Sequence, residues 1–176
     1  TPVAKVPVLV IDGFAVWDTL AIAETLAERF PEHALWPRDA SRRARARSLC
    51  AEMHAGFSAL RNHCPMNIEA ALPEVGVRVL AEQAGVRTDL ARIDAIWSQQ
   101  VEQSGGPFMF GAFSIADAYF APVVSRVRSY ALPLSDAARA YTERVWAAPG
   151  VAAWVADALA ERDFLDFEEP YRKSRD

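Results

Sequence analysis

Cysteine is nearly absent from this 176-residue chain: Cys50 and Cys64 stand far apart and outside any C-x-x-C pair. Their scarcity excludes a disulfide-stapled scaffold, and their apolar helical surroundings point to buried, reduced thiols with no functional lead. Histidine is as scarce, and His33, His54 and His63 lack partners at a metal-ligand spacing, so no metal is expected. No apolar run approaches the roughly 20 residues that span a bilayer, and no charged-then-apolar leader opens the chain. The expected setting is therefore the cytoplasm, with no membrane partner. Strong positive charge is also missing. With a formal net charge of -4, the cluster Arg42, Arg43, Arg45 and Arg47 reads as the solvated face of a helix, and no nucleic-acid partner is expected. Gly105, Gly106 and Gly111 follow a helical pattern rather than a strand, which excludes a phosphate loop. There is no G-x-S-x-G elbow, internal repeat or low-complexity segment.

What is present is core-building material. Hydrophobic residues make up 52% of the chain, enough for one large domain or two small ones. One strand pair is legible, Val6 to Ile11 and Phe14 to Trp17, joined by an Asp12-Gly13 step suited to a tight type I′ turn. From Leu20 the apolar spacing becomes helical, at Ile22, Leu26 and Phe30, until Pro31 stops it. "FPEHALWPRD" reads as a connector, and everything beyond it looks helical. Asp39 is placed to cap one long helix running to Cys64 and ended by Pro65. A second helical pattern shows at Val86, Leu90, Ile93, Trp97 and Val101, and further helices are expected over Ser114 to Tyr130, Ser135 to Trp146 and Val151 to Arg162. Ser114 and Asp117 fit a capping box, a folding role, and Pro122 is expected to kink the helix that follows.

This order, Val6-Pro7, a hairpin, Asp18-Thr19 at a helix start, then helices carrying "FSIADAYFAPVVSR", resembles the glutathione S-transferase family over nearly the whole chain. Thr19 follows Pro7 by twelve residues, the spacing of that family's proline and glutathione-binding hydroxyl. The fold the resemblance implies is α+β, mostly α. Residues 1–31 would be the C-terminal portion of a thioredoxin-like domain (β-hairpin plus helix), 32–38 a linker, and 39–176 an all-helical C-terminal domain whose central helix starts at Ser114.

The chemistry of the resemblance can be argued from the residues. The γ-glutamyl end of glutathione carries a carboxylate and an ammonium. A helix N-terminus offers free N–H groups and a positive dipole end to the carboxylate, Thr19 adds a hydroxyl, and Asp18 suits the ammonium. Taken alone, the same pair is also an ordinary helix cap. If Val6-Pro7 is cis, as the resemblance implies, the Val6 backbone pairs with the cysteinyl unit like an added strand, with Lys5 in reach. Met53, His54 and Phe57 are candidates for the electrophile pocket, although apolar residues at this spacing also serve a helix-bundle core or a dimer contact.

The function implied is conjugation of the glutathione thiolate to a small hydrophobic electrophile, with glutathione as co-substrate and a homodimer as the working form. Alternatives are a non-catalytic glutathione-binding or stress-regulatory protein, a glutathione-dependent isomerase or peroxidase, and a purely structural helical module. The donor that holds the thiolate is expected upstream of Thr1, because the tyrosines come too late and Thr1 lies on the wrong side of the hairpin. A lone hairpin is marginal in water, so a natural polypeptide longer at its N-terminus is expected.

Overall fold

The computed structural model describes residues 4–175; Thr1 lies outside them. Strands β1 (Leu9–Ile11) and β2 (Phe14–Val16) pair antiparallel, with Leu9 opposite Val16 and Ile11 opposite Phe14. Asp12 and Gly13 both take positive φ, 52° and 81°, as a type I′ turn requires. The ladder is shorter than the sequence pattern predicts. Pro7 has no N–H to give to a ladder, so regular pairing begins only beyond it. The Val6–Pro7 bond is cis.

Helix α1 (Thr19–Arg29) follows at once, its N-terminus capped by Asp18, whose Oδ1 accepts the Leu20 N–H at 3.3 Å. The connector is not a loose tether. It contains a 3-10 turn, Pro31–His33; Trp36 is buried, and the Leu35 carbonyl accepts the Ile115 N–H at 3.0 Å.

The helical part comprises α2 (Ala40–Ala55), α3 (Ser58–His63), α4 (Pro73–Glu82), α5 (Ala84–Ser104), α6 (Ile115–Ser129), α7 (Asp136–Trp146) and α8 (Pro149–Glu161). Asp39 caps α2, accepting the Arg42 N–H at 2.8 Å. The single long helix expected from Asp39 to Cys64 is instead two. Gly56 closes α2 with its N–H on the Glu52 carbonyl, and Phe57 turns to φ 55° and buries its ring. α3 then starts afresh, its Leu60 N–H held by Asp89 of α5 at 2.9 Å. Met53, Phe57 and Leu60 are all buried on either side of the break, so the apolar spacing reads as continuous although the backbone is not.

Helix α6 is the centre of the bundle, with ten buried residues. Pro122 lies inside it without ending it. Trp97 of α5 meets Phe120 edge-on at 5.9 Å between ring centroids, and Tyr141 of α7 lies 5.3 Å from the same indole. At the start of α6, Ser114 and Asp117 form the capping box. The fully buried Asp117 carboxylate accepts from the Ser114 N–H, the Ser114 hydroxyl, the Met109 N–H and the Tyr141 hydroxyl. The tail folds back over this body, and the Tyr171 hydroxyl donates to the His63 carbonyl at 2.8 Å.

Candidate functional site

Asp18 is reached by β2 and stands at the N-terminus of α1, where the first helical N–H groups lack intrahelical partners. Its second oxygen, Oδ2, lies 3.2 Å from His54 Nε2 of α2, and both side chains are about half exposed. Asp18 is thus a helix cap as well as a solvent-facing anion. A carboxylate has about four lone-pair positions, so these contacts leave it acceptor capacity toward solvent. Val6 and Pro7 stand at the same end of the hairpin as Asp18 and Thr19, opposite the Asp12-Gly13 turn. The Val6 backbone makes no hydrogen bond among the described residues, and Lys5 and Val6 are exposed.

Behind this corner opens a cleft of about 420 Å³ between α1, α2 and α6. Thr19, Ile22 and Leu26 of α1, Met53 and His54 of α2, and Tyr119 of α6 line it. The walls are mostly apolar because α1 and α6 each present a stripe at helical spacing toward the gap. Tyr119 adds a polar atom, a buried hydroxyl close to that of Thr19. Burial, reinforced by Cys50 and by the negative charge of Asp18, pushes its pKa up to about 12, with Thr19 opposing the shift. Tyr119 is therefore a neutral phenol at physiological pH and keeps a proton to donate.

The structure brings together Thr19, Met53 and His54 around the cleft, with Asp18 at its mouth on His54. Phe57 lies deeper, in the wall of an adjoining cavity of about 180 Å³. Ser114 and Asp117 stay out of the cleft and serve the start of α6. Tyr119 and Arg61, which also line the cleft, are not singled out by sequence reasoning. Ile115, Ala118, Tyr119 and Pro122 follow an i, i+3, i+4, i+7 stripe that could have revealed the α6 wall; Arg61 lies beyond the break after α2 and offers no periodic signal.

The cysteines are placed away from this chemistry. Both are free and buried, and burial pushes Cys50 up to about 12 and Cys64 up to about 11. Neither is a thiolate at neutral pH. Among the described residues no cluster of His, Cys, Asp and Glu is arranged to hold a metal ion, and no helix is long and apolar enough to cross a membrane.

Comparison with known proteins adds three findings. The family model described as "Glutathione S-transferase, C-terminal domain" matches residues 39–157. Among solved structures, a glutathione transferase homolog from Burkholderia gl BGR1, determined with bound glutathione, superposes with a TM-score of 0.68 at 25% identity over 91% of this chain and 76% of that one. A glutathione transferase from Methylococcus capsulatus str. Bath gives 0.63 at 25% identity, over 90% and 76% of the two chains. Among curated proteins, "Probable maleylacetoacetate isomerase" of Caenorhabditis elegans is 41% identical over 61 residues, and "Probable maleylacetoacetate isomerase 1" of Drosophila melanogaster is 39% identical over 61. These matches span 35% of this chain and only 28% and 25% of the two relatives. With the family model covering most of its helical part, the chain belongs to the glutathione S-transferase family.

Proposed function

We propose that this chain binds glutathione at the Asp18–Thr19 corner and uses it on a small apolar electrophile held in the adjoining cleft. One observation carries the reading. A capped helix N-terminus with an exposed carboxylate opens directly onto an apolar cleft of about 420 Å³, beside the unpaired backbone of Val6.

The residues present suit the tripeptide. The free N–H groups of the first α1 turn and the Thr19 hydroxyl can receive the γ-glutamyl carboxylate, while Asp18 takes the ammonium beside His54. The Val6 peptide groups supply donor and acceptor for the cysteinyl unit, with Lys5 one residue away. When bound, glutathione supplies a thiolate nucleophile. Met53, His54 and Tyr119 bound the space into which an electrophile enters, and its walls are mostly apolar.

Conjugation leaves the electrophile joined to the thiol; isomerisation returns the thiol free. The second outcome is favoured by the names of the two curated relatives, whose printed activity is an isomerase. A homodimer acting in the cytoplasm completes the reading.

Retention on immobilised glutathione tests the binding step. The wild-type chain is expected to be retained, and Asp18→Ala and Thr19→Ala to elute early; equal retention of all three would remove the corner from the site. Mass spectrometry after incubation with glutathione and an unsaturated electrophile then separates a thioether adduct from a rearranged, thiol-free product.

A further inference from the structure

Some basic side chains of the described residues reach carboxylates, and others, such as Arg43, Arg87, Arg139 and Arg144, donate to backbone carbonyls. Arg29, Arg47, Arg92, Arg128, Arg172 and Arg175 all reach carboxylates. Arg61 and Arg126 do not. Arg61 donates Nη2 to the Met53 carbonyl at 2.6 Å and Nε to the Gly56 carbonyl at 3.2 Å. Arg126 donates Nε to the Cys64 carbonyl and Nη1 to the Pro122 carbonyl, both at 3.0 Å. Among the described residues neither has an acidic partner, and each retains N–H groups that no protein acceptor takes: Nη1 of Arg61 and Nη2 of Arg126.

Arg61 and Arg126 both line one cavity of about 180 Å³, walled otherwise by Met53, Phe57, Leu60 and Val123 among others. Burial, then the like charge of Arg61, pulls Arg126 down to about 10, so it stays cationic at neutral pH while its charge is poorly solvated. Two cations held by carbonyl dipoles in a largely apolar cavity are an unfavourable arrangement until an anion enters. The carbonyls also fix both forks, so an incoming anion meets donors already oriented. Met53, Arg61 and Pro122 belong to the walls of both this cavity and the larger cleft beside Thr19. The two spaces therefore adjoin. The cavity's size and its methionine and phenylalanine lining suit a carboxylate on a short carbon chain.

We propose that Arg61 and Arg126 form a carboxylate subsite, and that the second substrate is an organic acid whose apolar body fills the cleft and whose anionic end docks between them. This rests on the reading that the cleft holds the second substrate, and its test is separable from the test of glutathione binding.

The full chain is titrated calorimetrically with 4-phenylbutyrate and, in parallel, with the neutral 4-phenylbutyramide, with and without saturating glutathione. The acid is expected to bind at least about ten-fold more tightly than the amide, the value of one charge-assisted hydrogen bond. Arg126→Met is expected to erase that preference, and Arg126→Lys to keep most of it. Circular dichroism checks the fold; if Arg126→Met does not fold, the acid-to-amide ratio of the wild type and Arg126→Lys decides. Equal binding of acid and amide, no binding of either, or a preference that survives in Arg126→Met overturns the proposal. Loss of glutathione retention by the wild-type chain with the acid preference intact would instead sink the functional reading and leave the anion subsite standing.

Discussion

Asp117 shows how much one side chain can organise in this protein. It is wholly buried and charged only at a cost: burial drives its carboxyl upward from the ordinary aspartate range, and four hydrogen bonds pull the other way. Asp117→Ala would strand the Ser114 and Met109 N–H groups and the Tyr141 hydroxyl in the core. Each such orphan costs about 1–3 kcal/mol, so a total loss of about 3 kcal/mol or more is expected in urea denaturation. Asp117→Asn, which keeps an acceptor, should lose less, and an unchanged midpoint for the alanine variant would contradict the role. This residue was legible in advance because a capping box is a local pattern. Its bonds to Met109 and Tyr141 were not, since Tyr141 comes from another helix. The same holds at the cleft. Asp18 announces itself as an acid at a helix start, but its contact with His54 depends on how α2 lies against α1.

Between elements, the contacts that set the helix positions are few and specific. Gly76 of α4 lies so close to the end of α6 that a Cβ there would meet the Tyr130 carbonyl oxygen at 1.9 Å. Gly76→Ala must push the two helices apart, and a loss of about 1–3 kcal/mol is expected, as for overpacking elsewhere; a thermal midpoint equal to wild type would show that α4 moves freely. Glu52 of α2 grips Arg92 of α5 through both oxygens, at 2.7 and 2.9 Å. The hydrogen bond from Arg92 holds the Glu52 carboxyl below its ordinary value of 4.5. A carboxyl depressed by folding adds stability above that ordinary value and loses it as pH falls through the lower folded value. Wild type should therefore exceed Glu52→Gln in stability at pH 7 by at most about 1 kcal/mol, the pair being partly exposed, and the gap should close on acidification below 4.5. A gap that widened in acid would reverse the sign of the argument. Helix starts at Asp18, Asp39, Ser114 and Ser135 were readable, because caps are written in one or two residues. The break at Gly56-Phe57 was not, because Leu60 is capped by Asp89 from 29 residues away.

For the whole molecule, a short hairpin and helix α1 pack against the bundle of α2–α8 among the described residues, and the proposed glutathione corner sits where they meet. The change of apolar period after Leu20 announced a hairpin followed by helices, and the family resemblance implied the architecture, α+β and mostly α. α4, with Pro73 at its start, gave no distinct signal because a general helical texture does not mark its own divisions. The arginine cavity was equally silent: Arg61 and Arg126 are 65 residues apart in the chain, and only the folded bundle sets them together. The central claim is that the Asp18–Thr19 corner recognises the charged γ-glutamyl end of glutathione. Calorimetric titration of the full chain with glutathione and with cysteinylglycine, which lacks that end, tests it most directly. Saturable binding of glutathione and none of the dipeptide is the predicted result; equal affinity for the two, or no binding of glutathione, would contradict it.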